Sequence, residues 1–380
     1  YIRRFYKGGM GMNNNRSILV FILFFIIVGG LFSYFEKQSE VRNEVKTVTK
    51  LVFEDKVIKD FDNVVIENDE IYIPVDFIKG YIEPNIRISE DKKRVYIKLA
   101  DKKFELEEES LTKLVKESNI EINFLTKIEN GIVYVPRKLV SKLFNIDIDY
   151  IETSGVVTVD RYVDEIRLGK VNTKDVKVKT KDNVLSFTID KLSLYEEVRI
   201  LGESKEWYKV RTGDGYLGFV QKKNIDEYVK KVEWINKLNN KRKDFNKDDK
   251  LNITWEYVYE KTPDIKDEAK IDGLDIISPT WFSVSKNGVV INKADMNYVK
   301  DAHNKGYNVW GVIDNGFDPD ITTKILNDEE TKNKVIAQMA FYASLYDLDG
   351  INIDFENIYY DDKQAFVEFV DDLTKILKIQ

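Results

Sequence analysis

The stretch DGINIDFE, residues 349–356, decides the fold of the C-terminal part of this 380-residue chain. Its polar and apolar side chains alternate, and residues two apart in a strand share a face. Asn352, Asp354 and Glu356 therefore face one way, and the apolar side chains between them face the other. A buried parallel strand tolerates such a polar face only where its members bind one another or a ligand.

Strands alternating with helices surround this stretch. Apolar strands are predicted over 251–259, 274–284, 308–314 and 350–356, and helices over 294–305 and 329–346. Repeated strand–helix units of this kind predict a parallel sheet covered by helices, in either a TIM barrel or a doubly wound fold. The sequence has neither a Gly-x-Gly-x-x-Gly turn after a strand nor a Gly-Lys-Ser/Thr phosphate loop, which disfavours a nucleotide-binding sheet.

Composition excludes several kinds of chemistry. Cysteine is absent, so disulfides, thiolate catalysis and thiolate zinc sites are excluded. The one histidine, His303, disfavours a histidine metal site or a Ser-His-Asp triad, and we expect it to lie on a surface or pack on a helix. With 59 Lys and Arg against 66 Asp and Glu, the net charge is −7, which disfavours nucleic acid as a partner. We predict no cofactor and no metal, so a catalyst would use carboxylates, tyrosines or lysines.

The motif Asp-Gly-x-Asn-x-Asp-x-Glu resembles the signature of glycoside hydrolase family 18, the chitinase-like enzymes. Together with Ser278-Pro279-Thr280-Trp281-Phe282 and Val309-Trp310, it resembles the spore-cortex and cell-wall branch of that family. The resemblance covers residues 251–380 and implies an α/β TIM-barrel catalytic domain.

The resemblance also implies roles for four residues of the motif. Glu356 matches the general acid that protonates the glycosidic oxygen. Asp354 matches the residue that orients the 2-acetamido group of the substrate, whose carbonyl oxygen attacks the anomeric carbon. Asp349 and Asn352 match supporting catalytic positions, with Asn in place of the commoner Asp at 352.

Four further residues are candidates for substrate binding. Trp281 and Trp310, like Trp255, lie at or near strand ends, where aromatic rings commonly stack on sugars. Core packing explains each of these three residues equally well. Asn315 and Tyr257 can donate hydrogen bonds to sugar hydroxyls.

Only four barrel strands are predicted before Gln380, whereas a TIM barrel has eight. The later Tyr and the floor Trp of the family have no counterparts in this sequence. We therefore expect the barrel to be truncated at its C-terminus, with an incomplete sugar subsite and an open sheet edge, and the fragment by itself to be inactive.

A membrane anchor is predicted over residues 18–35, which carry no charge and as a helix would span about 27 Å. The alternative is a cleaved signal peptide, but no small-x-small cleavage site follows. Residues 1–17 would form a cytoplasmic or untranslated leader, and the basic residues there place the rest of the chain outside the cell membrane. The expected location is the surface of a Gram-positive-type bacterium.

Two repeats make up an α+β module over residues 38–162. Tyr72-Ile73-Pro74 is echoed by Tyr134-Val135-Pro136, an offset of 62, and each is followed by a short helix and a β-rich run. This pattern resembles the copper amine oxidase N-terminal-like domain. It contains neither His nor Cys, so we predict a structural or wall-contacting spacer without copper.

A small β-barrel is predicted over residues 163–226. Glu206-Trp207-Tyr208-Lys209-Val210 and the later Gly215-Tyr216-Leu217-Gly218-Phe219-Val220 resemble the end of bacterial Src-homology-3-like domains. The Asp214-Gly215 pair predicts a tight hairpin turn. The charged residues 227–250 are predicted to be a linker.

Two functions from different classes follow from these predictions. One is a membrane-anchored extracellular glycosidase that cleaves N-acetylglucosaminyl linkages in peptidoglycan or a related wall polymer, with chitin as the alternative substrate. The other is a catalytically silent protein that binds carbohydrate or the cell wall. The presence of both Asp354 and Glu356 favours the enzyme, because a lectin needs no acid at this position.

Overall fold

A computed structural model of the chain describes residues 33, 50–60, 64–67, 70–99, 106, 108–232 and 250–379. The predicted leader and, apart from Ser33, the predicted membrane span lie outside the described residues. Within the described ranges, none of the helices has the length and apolar character needed to cross a membrane. The described chain forms two compact units, a smaller one of residues 50–57, 151–157 and 165–231 and a larger one of the remaining described residues from 58 onward.

Strands and helices are numbered here in chain order. The strands are β1 (Lys50–Phe53), β2 (Lys56–Ile58), β3 (Val65–Glu67), β4 (Glu70–Pro74), β5 (Arg87–Ile88), β6 (Arg94–Lys98), β7 (Glu121–Leu125), β8 (Lys127–Glu129), β9 (Ile132–Pro136), β10 (Ile146–Ile151), β11 (Val156–Arg161), β12 (Glu165–Val171), β13 (Val176–Lys179), β14 (Thr188–Leu192), β15 (Glu197–Glu203), β16 (Trp207–Arg211), β17 (Leu217–Gln221), β18 (Ile225–Lys231), β19 (Ile253–Glu256), β20 (Ile276–Pro279), β21 (Phe282–Val284), β22 (Val290–Asn292), β23 (Asn308–Asp314) and β24 (Gly350–Asp354). The helices are α1 (Val75–Tyr81), α2 (Glu109–Glu117), α3 (Arg137–Phe144), α4 (Met296–Asn304), α5 (Pro319–Asn327), α6 (Glu329–Tyr346) and α7 (Lys363–Leu377).

The smaller unit is built on a seven-stranded antiparallel sheet with the order β14-β13-β17-β16-β15-β12-β18. Its core is formed by inward-facing aliphatic side chains such as Val178, Val198 and Val220. Gly215 adopts a left-handed φ of 81° in the predicted turn between β16 and β17. Strand β18 pairs with β12 as far as Lys231, which corrects the predicted start of the linker at 227. The Lys-rich composition of this edge strand resembles that of a linker because most of its side chains face solvent.

The repeat predicted from the offset of 62 forms a symmetric pair of hairpins in the larger unit. Strands β4 and β9 pair antiparallel with Ile73 opposite Val135, which are equivalent positions of the two repeats. Helices α1 and α3 follow these strands directly, each beginning after a proline. The repeat is therefore one folded module whose two halves share a sheet.

The C-terminal domain contains the parallel sheet that the strand–helix alternation predicts. Strand β23 pairs in parallel with β20, β21 and β24, and β19 pairs in parallel with β20. The predicted strand over 274–284 is interrupted after Pro279, and its second half continues into a β21–β22 hairpin. The interruption occurs because the Trp281 side chain turns into the core, where its indole nitrogen donates to Thr262 Oγ1 at 3.0 Å. Helices α5 and α7 were not predicted, although Asp318 caps α5 immediately before Pro319.

Helix α6 is buried along most of its length and joins the repeat module to the C-terminal sheet. The ring of Tyr342 stacks on Phe282 of β21 with centroids 5.4 Å apart, and it meets Phe124 of β7 edge-on at 6.4 Å. A helix that is buried on all sides needs cover from more than one layer. The module supplies that second layer, so the two segments form one unit.

A buried polar network closes the contact between the module and the C-terminal domain. Asn123 Nδ2 donates to the carbonyl of Val290 at 2.7 Å, and Asn123 Oδ1 accepts from the backbone nitrogen of Asn292 at 3.1 Å. Asn292 Nδ2 donates to the Asn123 carbonyl at 3.0 Å and to the Tyr346 hydroxyl at 2.8 Å. Arg94 donates to both Asn123 Oδ1 and the Asn292 carbonyl, at 3.0 and 2.6 Å. Arg94, Asn123 and Asn292 thus join the module to the C-terminal domain, and Asn292 is also tied to α6.

Asn123→Ala should destabilise the larger unit by about 3 kcal/mol, because it leaves the Val290 carbonyl and the Asn292 amide without a partner in a buried site. Chemical denaturation followed by tryptophan fluorescence measures the change. Asn333→Ala on the exposed side of α6 is the matched control, and its free energy of unfolding should change by less than about 1 kcal/mol. Equal unfolding free energies for the two variants would show that the network does not hold the module in place.

Candidate active site

The carboxyl ends of parallel strands β19, β20, β23 and β24 lie in chain order along one edge of the C-terminal sheet. In parallel α/β folds this edge is where ligands bind. Three of these strands end in a carboxylate, Glu256 on β19, Asp314 on β23 and Asp354 on β24, and the last two are in register with each other. The edge therefore carries the acidic groups that a general acid–base catalyst needs.

Asn352 and Asp354 share the polar face of β24, and both are half-buried. Asn352 Nδ2 donates to Ser278 Oγ at 3.0 Å, and that hydroxyl donates to the Trp310 carbonyl at 2.8 Å. Asn352 is thus tied across the sheet to β20 and β23. The Asp354 carboxylate accepts no hydrogen bond from the described residues, so both of its oxygens are available to a ligand.

Asp314 has a different role from Asp354, although the two are neighbours. Its Oδ1 accepts hydrogen bonds from Ser283 Oγ at 2.6 Å and from the backbone nitrogen of Gly316 at 2.8 Å. It fixes the turn that follows β23. The sequence analysis did not single out Asp314, although its position at the end of a predicted strand parallel to β24 was a usable signal.

Glu356 is the first exposed side chain beyond β24, and Asn315 holds its backbone on both sides. Asn315 Nδ2 donates to the Glu356 carbonyl at 2.7 Å, and Asn315 Oδ1 accepts from the Glu356 amide at 3.1 Å. Asn315 also donates to Thr322 Oγ1 at 2.7 Å and accepts from the Phe317 amide at 3.1 Å. Its side chain is fully buried. This corrects the prediction that Asn315 binds sugar, because its amide already makes four hydrogen bonds within the protein and positions Glu356.

The structure also corrects the prediction for Trp281. Its ring is fully buried, with Tyr298 edge-on at 5.5 Å and Phe282 at 6.4 Å between centroids. Of the two roles that the sequence left open, the structure selects core packing. The apolar run over 274–284 does not show whether Trp281 ends a strand at the sheet edge or turns into the core after the strand has ended.

Trp310 lies in register with Gly350 on the polar face of the sheet. A Cβ at Gly350 would come within 2.7 Å of the Trp310 ring, so only glycine fits at this position. The half-buried ring therefore lies against Gly350, on the face of the sheet that also carries Asn352 and Asp354. The glycine of the 349–356 motif is explained by this close approach.

Asp349 lies at the amino end of β24, about 16 Å along the strand from Asp354. Its Oδ2 accepts from the Val309 amide at 2.7 Å and lies 2.8 Å from His303 Nε2. These contacts correct the predicted catalytic position of Asp349, because the residue joins α4 to two strands at the opposite edge of the sheet. His303 is a half-buried, paired residue on α4, in agreement with the expected packing role.

Tyr257 and Trp255 extend from the carboxyl end of β19, with 73% and 60% of their surfaces exposed. Their rings are accessible to a ligand in this structure. Between them, Glu256 is partly buried, and burial raises the pKa of its carboxyl, with a further contribution from the charge on Glu268. Glu256 was not predicted, because an acidic residue flanked by aromatics has no motif of its own.

Comparison with known proteins identifies both N-terminal modules. Residues 52–159 match the family described as copper amine oxidase N-terminal domain, and residues 188–226 match the bacterial SH3 domain family. The two predicted resemblances are confirmed.

A stretch of 110 residues is 27% identical to an uncharacterized glycosylase, YvbX, of Bacillus subtilis strain 168; it covers 27% of this chain and 32% of that protein. The chain thus spans about a third of the length of this relative. The spore cortex-lytic enzyme SleL of Bacillus cereus is 24% identical, over 26% of this chain and 25% of that one, with a TM-score of 0.26. A class V chitinase of Pseudomonas fluorescens Pf-5 is 22% identical, over 28% and 35% of the two chains, with a TM-score of 0.27. The predicted resemblance to chitinase-like glycosidases is confirmed.

Asn315→Ala should lower the free energy of unfolding by roughly 2 kcal/mol or more, because the Glu356 backbone and the Thr322 hydroxyl lose their partner. Denaturant unfolding measures this loss. Asn327→Ala, which removes hydrogen bonds to Thr323 and Asp362 but none to Glu356, is the control. The Glu356 amide should exchange with deuterium faster in Asn315→Ala alone, and unchanged exchange would contradict the positioning role.

His303 should titrate with a pKa above 6.5, mainly because Asp349 accepts a hydrogen bond from its ring and opposes the effect of burial. It is the single histidine of the chain, so its C–H resonance in a proton NMR titration gives this pKa directly. Asp349→Asn should lower the pKa, and Asp347→Asn, 4.0 Å away, should lower it less. Because the pKa of His303 is higher in the folded state than in the unfolded state, the His303–Asp349 pair stabilises the fold fully below pH 6.5. This stabilisation is lost as the pH rises through the folded-state pKa. A pKa that Asp349→Asn leaves unchanged would show that the pair does not form.

Proposed function

We propose that the protein is a glycosidase that cleaves N-acetylglucosaminyl linkages in peptidoglycan or a related wall polymer. The observation that carries this proposal is the pair of carboxylates at the end of β24: Asp354, which no described residue engages, and the exposed Glu356, whose backbone Asn315 holds. The similarity to glycosylases and the presence of two modules before the parallel sheet support it. Chitin is the alternative substrate.

The proposed mechanism uses the acetamido group of the substrate as the nucleophile. Glu356 donates a proton to the glycosidic oxygen as the bond to the anomeric carbon breaks. The acetamido carbonyl oxygen attacks that carbon and forms a cyclic cation, and Asp354 orients the group and stabilises its positive charge. Water then opens the ring while Glu356 takes back a proton, so the configuration at the anomeric carbon is retained. The catalytic domain would be a TIM barrel to which β19, β20, β23 and β24 belong.

The proposed location is the outer face of the cell membrane, with residues 18–35 as the anchor. The uncharged segment and its basic flank support this location. The repeat module and the SH3-like domain would then lie between the anchor and the hydrolase.

A protein that binds wall glycan without cleaving it is the second candidate function. The exposed rings of Trp255 and Tyr257 favour it, because exposed aromatic side chains can stack on sugar faces. Both candidate functions predict that a Glu356→Gln variant still binds glycan. Only the glycosidase predicts that this variant loses glycan cleavage.

In a chain with the complete barrel, Glu356→Gln keeps the size of the side chain but cannot donate the proton, so hydrolysis of purified peptidoglycan should fall by about 10²- to 10⁴-fold. The release of reducing ends measures the rate. Glu330→Gln, an exposed ion-paired glutamate on α6, should retain the full rate. Asp354→Asn should also be severely impaired, because the cyclic cation loses its nearby carboxylate. Polymer from which the N-acetyl groups have been removed should not be cleaved. Undiminished activity of Glu356→Gln, or equal rates with and without N-acetyl groups, would leave the binding protein as the function.

A further inference from the structure

A cavity of about 690 Å³ lies between the repeat module and the C-terminal domain. Strands β4, β6 and β7 form one wall, and the segments after β19 and β22 form the other. Neither Asp354 nor Glu356 lines it. Its volume is in the range of small-molecule sites, about 300 to 1,000 Å³. The buried Asn123–Asn292 network fixes the two walls relative to each other, so the cavity is preformed.

Three carboxylates of the cavity are paired with lysines that also line it. Glu67 is bonded to Lys127, Glu70 lies 3.7 Å from Lys138, and Glu260 lies 3.5 Å from Lys93. Each pair is electrically neutral, so the three pairs add no net charge to the cavity.

Two further carboxylates serve the backbone. Asp295 accepts from the amides of Asn297 and Tyr298 at 2.7 and 3.1 Å and so caps α4. Asp91 accepts from Ser89 Oγ at 2.6 Å and from the Lys93 amide at 3.0 Å within its own turn. All five carboxylates of the cavity therefore have a local role.

Besides the exposed Lys261, two cations of the cavity lie outside these pairs. Arg94 donates to Asn123 Oδ1 and to the Asn292 carbonyl, and Lys293 donates to the carbonyls of Val258 and Tyr259 at 2.7 and 3.3 Å. Within the described residues, neither has a carboxylate at ion-pair distance. Both are partly buried, and the burial lowers the pKa of each.

The two cations are neighbours along the cavity wall, because Arg94 donates to the carbonyl of Asn292, the residue before Lys293. Beyond burial, Asp314 raises the pKa of Lys293 and Arg94 lowers it by a smaller amount, while Asp91 is among the groups that raise the pKa of Arg94. Two like charges that line one cavity without a carboxylate at ion-pair distance are costly, since each is partly desolvated. An anion beside both of them would offset this cost. The planar guanidinium suits a carboxylate because it can donate two parallel hydrogen bonds.

We propose that Arg94 and Lys293 form a binding site for a carboxylate group of the ligand. In a wall polymer the carboxylate belongs either to a sugar acid or to a peptide attached to it, whereas chitin carries none. The choice of a wall polymer as the ligand rests on the proposed function, but the anion site rests on the two cations alone. The site would select acidic wall glycan over neutral glycan.

Isothermal titration calorimetry tests the proposed carboxylate site, and the Glu356→Gln chain is used so that the ligand is not cleaved during the titration. The probes are the disaccharide of N-acetylglucosamine and N-acetylmuramic acid, the same disaccharide with its carboxyl converted to a methylamide, and the dipeptide alanyl-glutamate. At least one of the two acids, the unmodified disaccharide or the dipeptide, should bind about 10- to 100-fold more tightly than the methylamide disaccharide. The methylamide has no carboxylate and therefore loses the charge-assisted hydrogen bond. Tighter binding of the disaccharide acid assigns the carboxylate to the sugar, and tighter binding of the dipeptide assigns it to the peptide.

Lys293→Gln should remove most of this preference, because the amide can still donate to the two carbonyls but carries no charge. Lys300→Gln, an exposed lysine on α4, is the matched control and should leave binding unchanged. Arg94→Lys, which keeps the charge but loses the second donor, should give an intermediate preference and serves if Lys293→Gln does not fold. Binding of both acids no tighter than that of the methylamide, or equal affinities in Lys293→Gln and Lys300→Gln, would overturn the proposal.

These outcomes are separable from a failure of the proposed function. Tight, Lys293-dependent binding of an acid by a protein that hydrolyses no glycan would retain the anion site and remove the enzyme. Hydrolysis that depends on Glu356, with no preference for the acids, would retain the enzyme and remove the anion site.

Discussion

Three polar side chains on one face of the buried helix α6 determine how the larger unit is assembled. Gln338, Tyr342 and Tyr346 are four residues apart, so they form a single stripe. Gln338 accepts from the Val290 amide and donates to the Gly288 carbonyl, which holds the β21–β22 hairpin. The Tyr342 hydroxyl accepts from the Asn123 amide, and the Tyr346 hydroxyl accepts from Asn292. Because buried polar atoms must be paired, the hairpin and the module can dock on α6 in only one register.

The same requirement places the residues of the candidate active site. Asn352 is paired with Ser278, Asp314 with Ser283, and Asn315 with the backbone of Glu356. Each pair joins two strands or the segments that follow them. The carboxylates of Asp354 and Glu256 on this edge are left without such a partner among the described residues. A site that fixes its neighbours and leaves carboxylates available has the organisation expected of a preorganised catalyst.

Much of this arrangement follows from the sequence. The alternation in 349–356 predicts β24 and its polar face, and the offset of 62 predicts two related repeats. That the two repeats share a sheet through the pairing of β4 with β9 was not predicted. The correct prediction of α6 from Glu329 to Tyr346 rests on the length of its apolar repeat. The roles of Asn315, Trp281 and Asp349 could not be predicted, because each depends on a partner at least 17 residues away that no spacing rule identifies. A short motif shows which residues lie on a strand, but not which of them the rest of the protein already uses.

The repeat module illustrates how a spacer can become part of a site. By sequence it contains neither His nor Cys, and its strands β3, β4, β8 and β9 form a sheet of their own. The network around Asn123 nevertheless requires Arg94 to donate towards the C-terminal domain, and this brings the guanidinium next to Lys293. The fold thereby accepts two neighbouring cations without a carboxylate at ion-pair distance among the described residues, a cost that packing alone does not require because an uncharged donor could satisfy the same two oxygens. Buried charge that exceeds the structural need is most simply explained by a ligand that supplies the opposite charge.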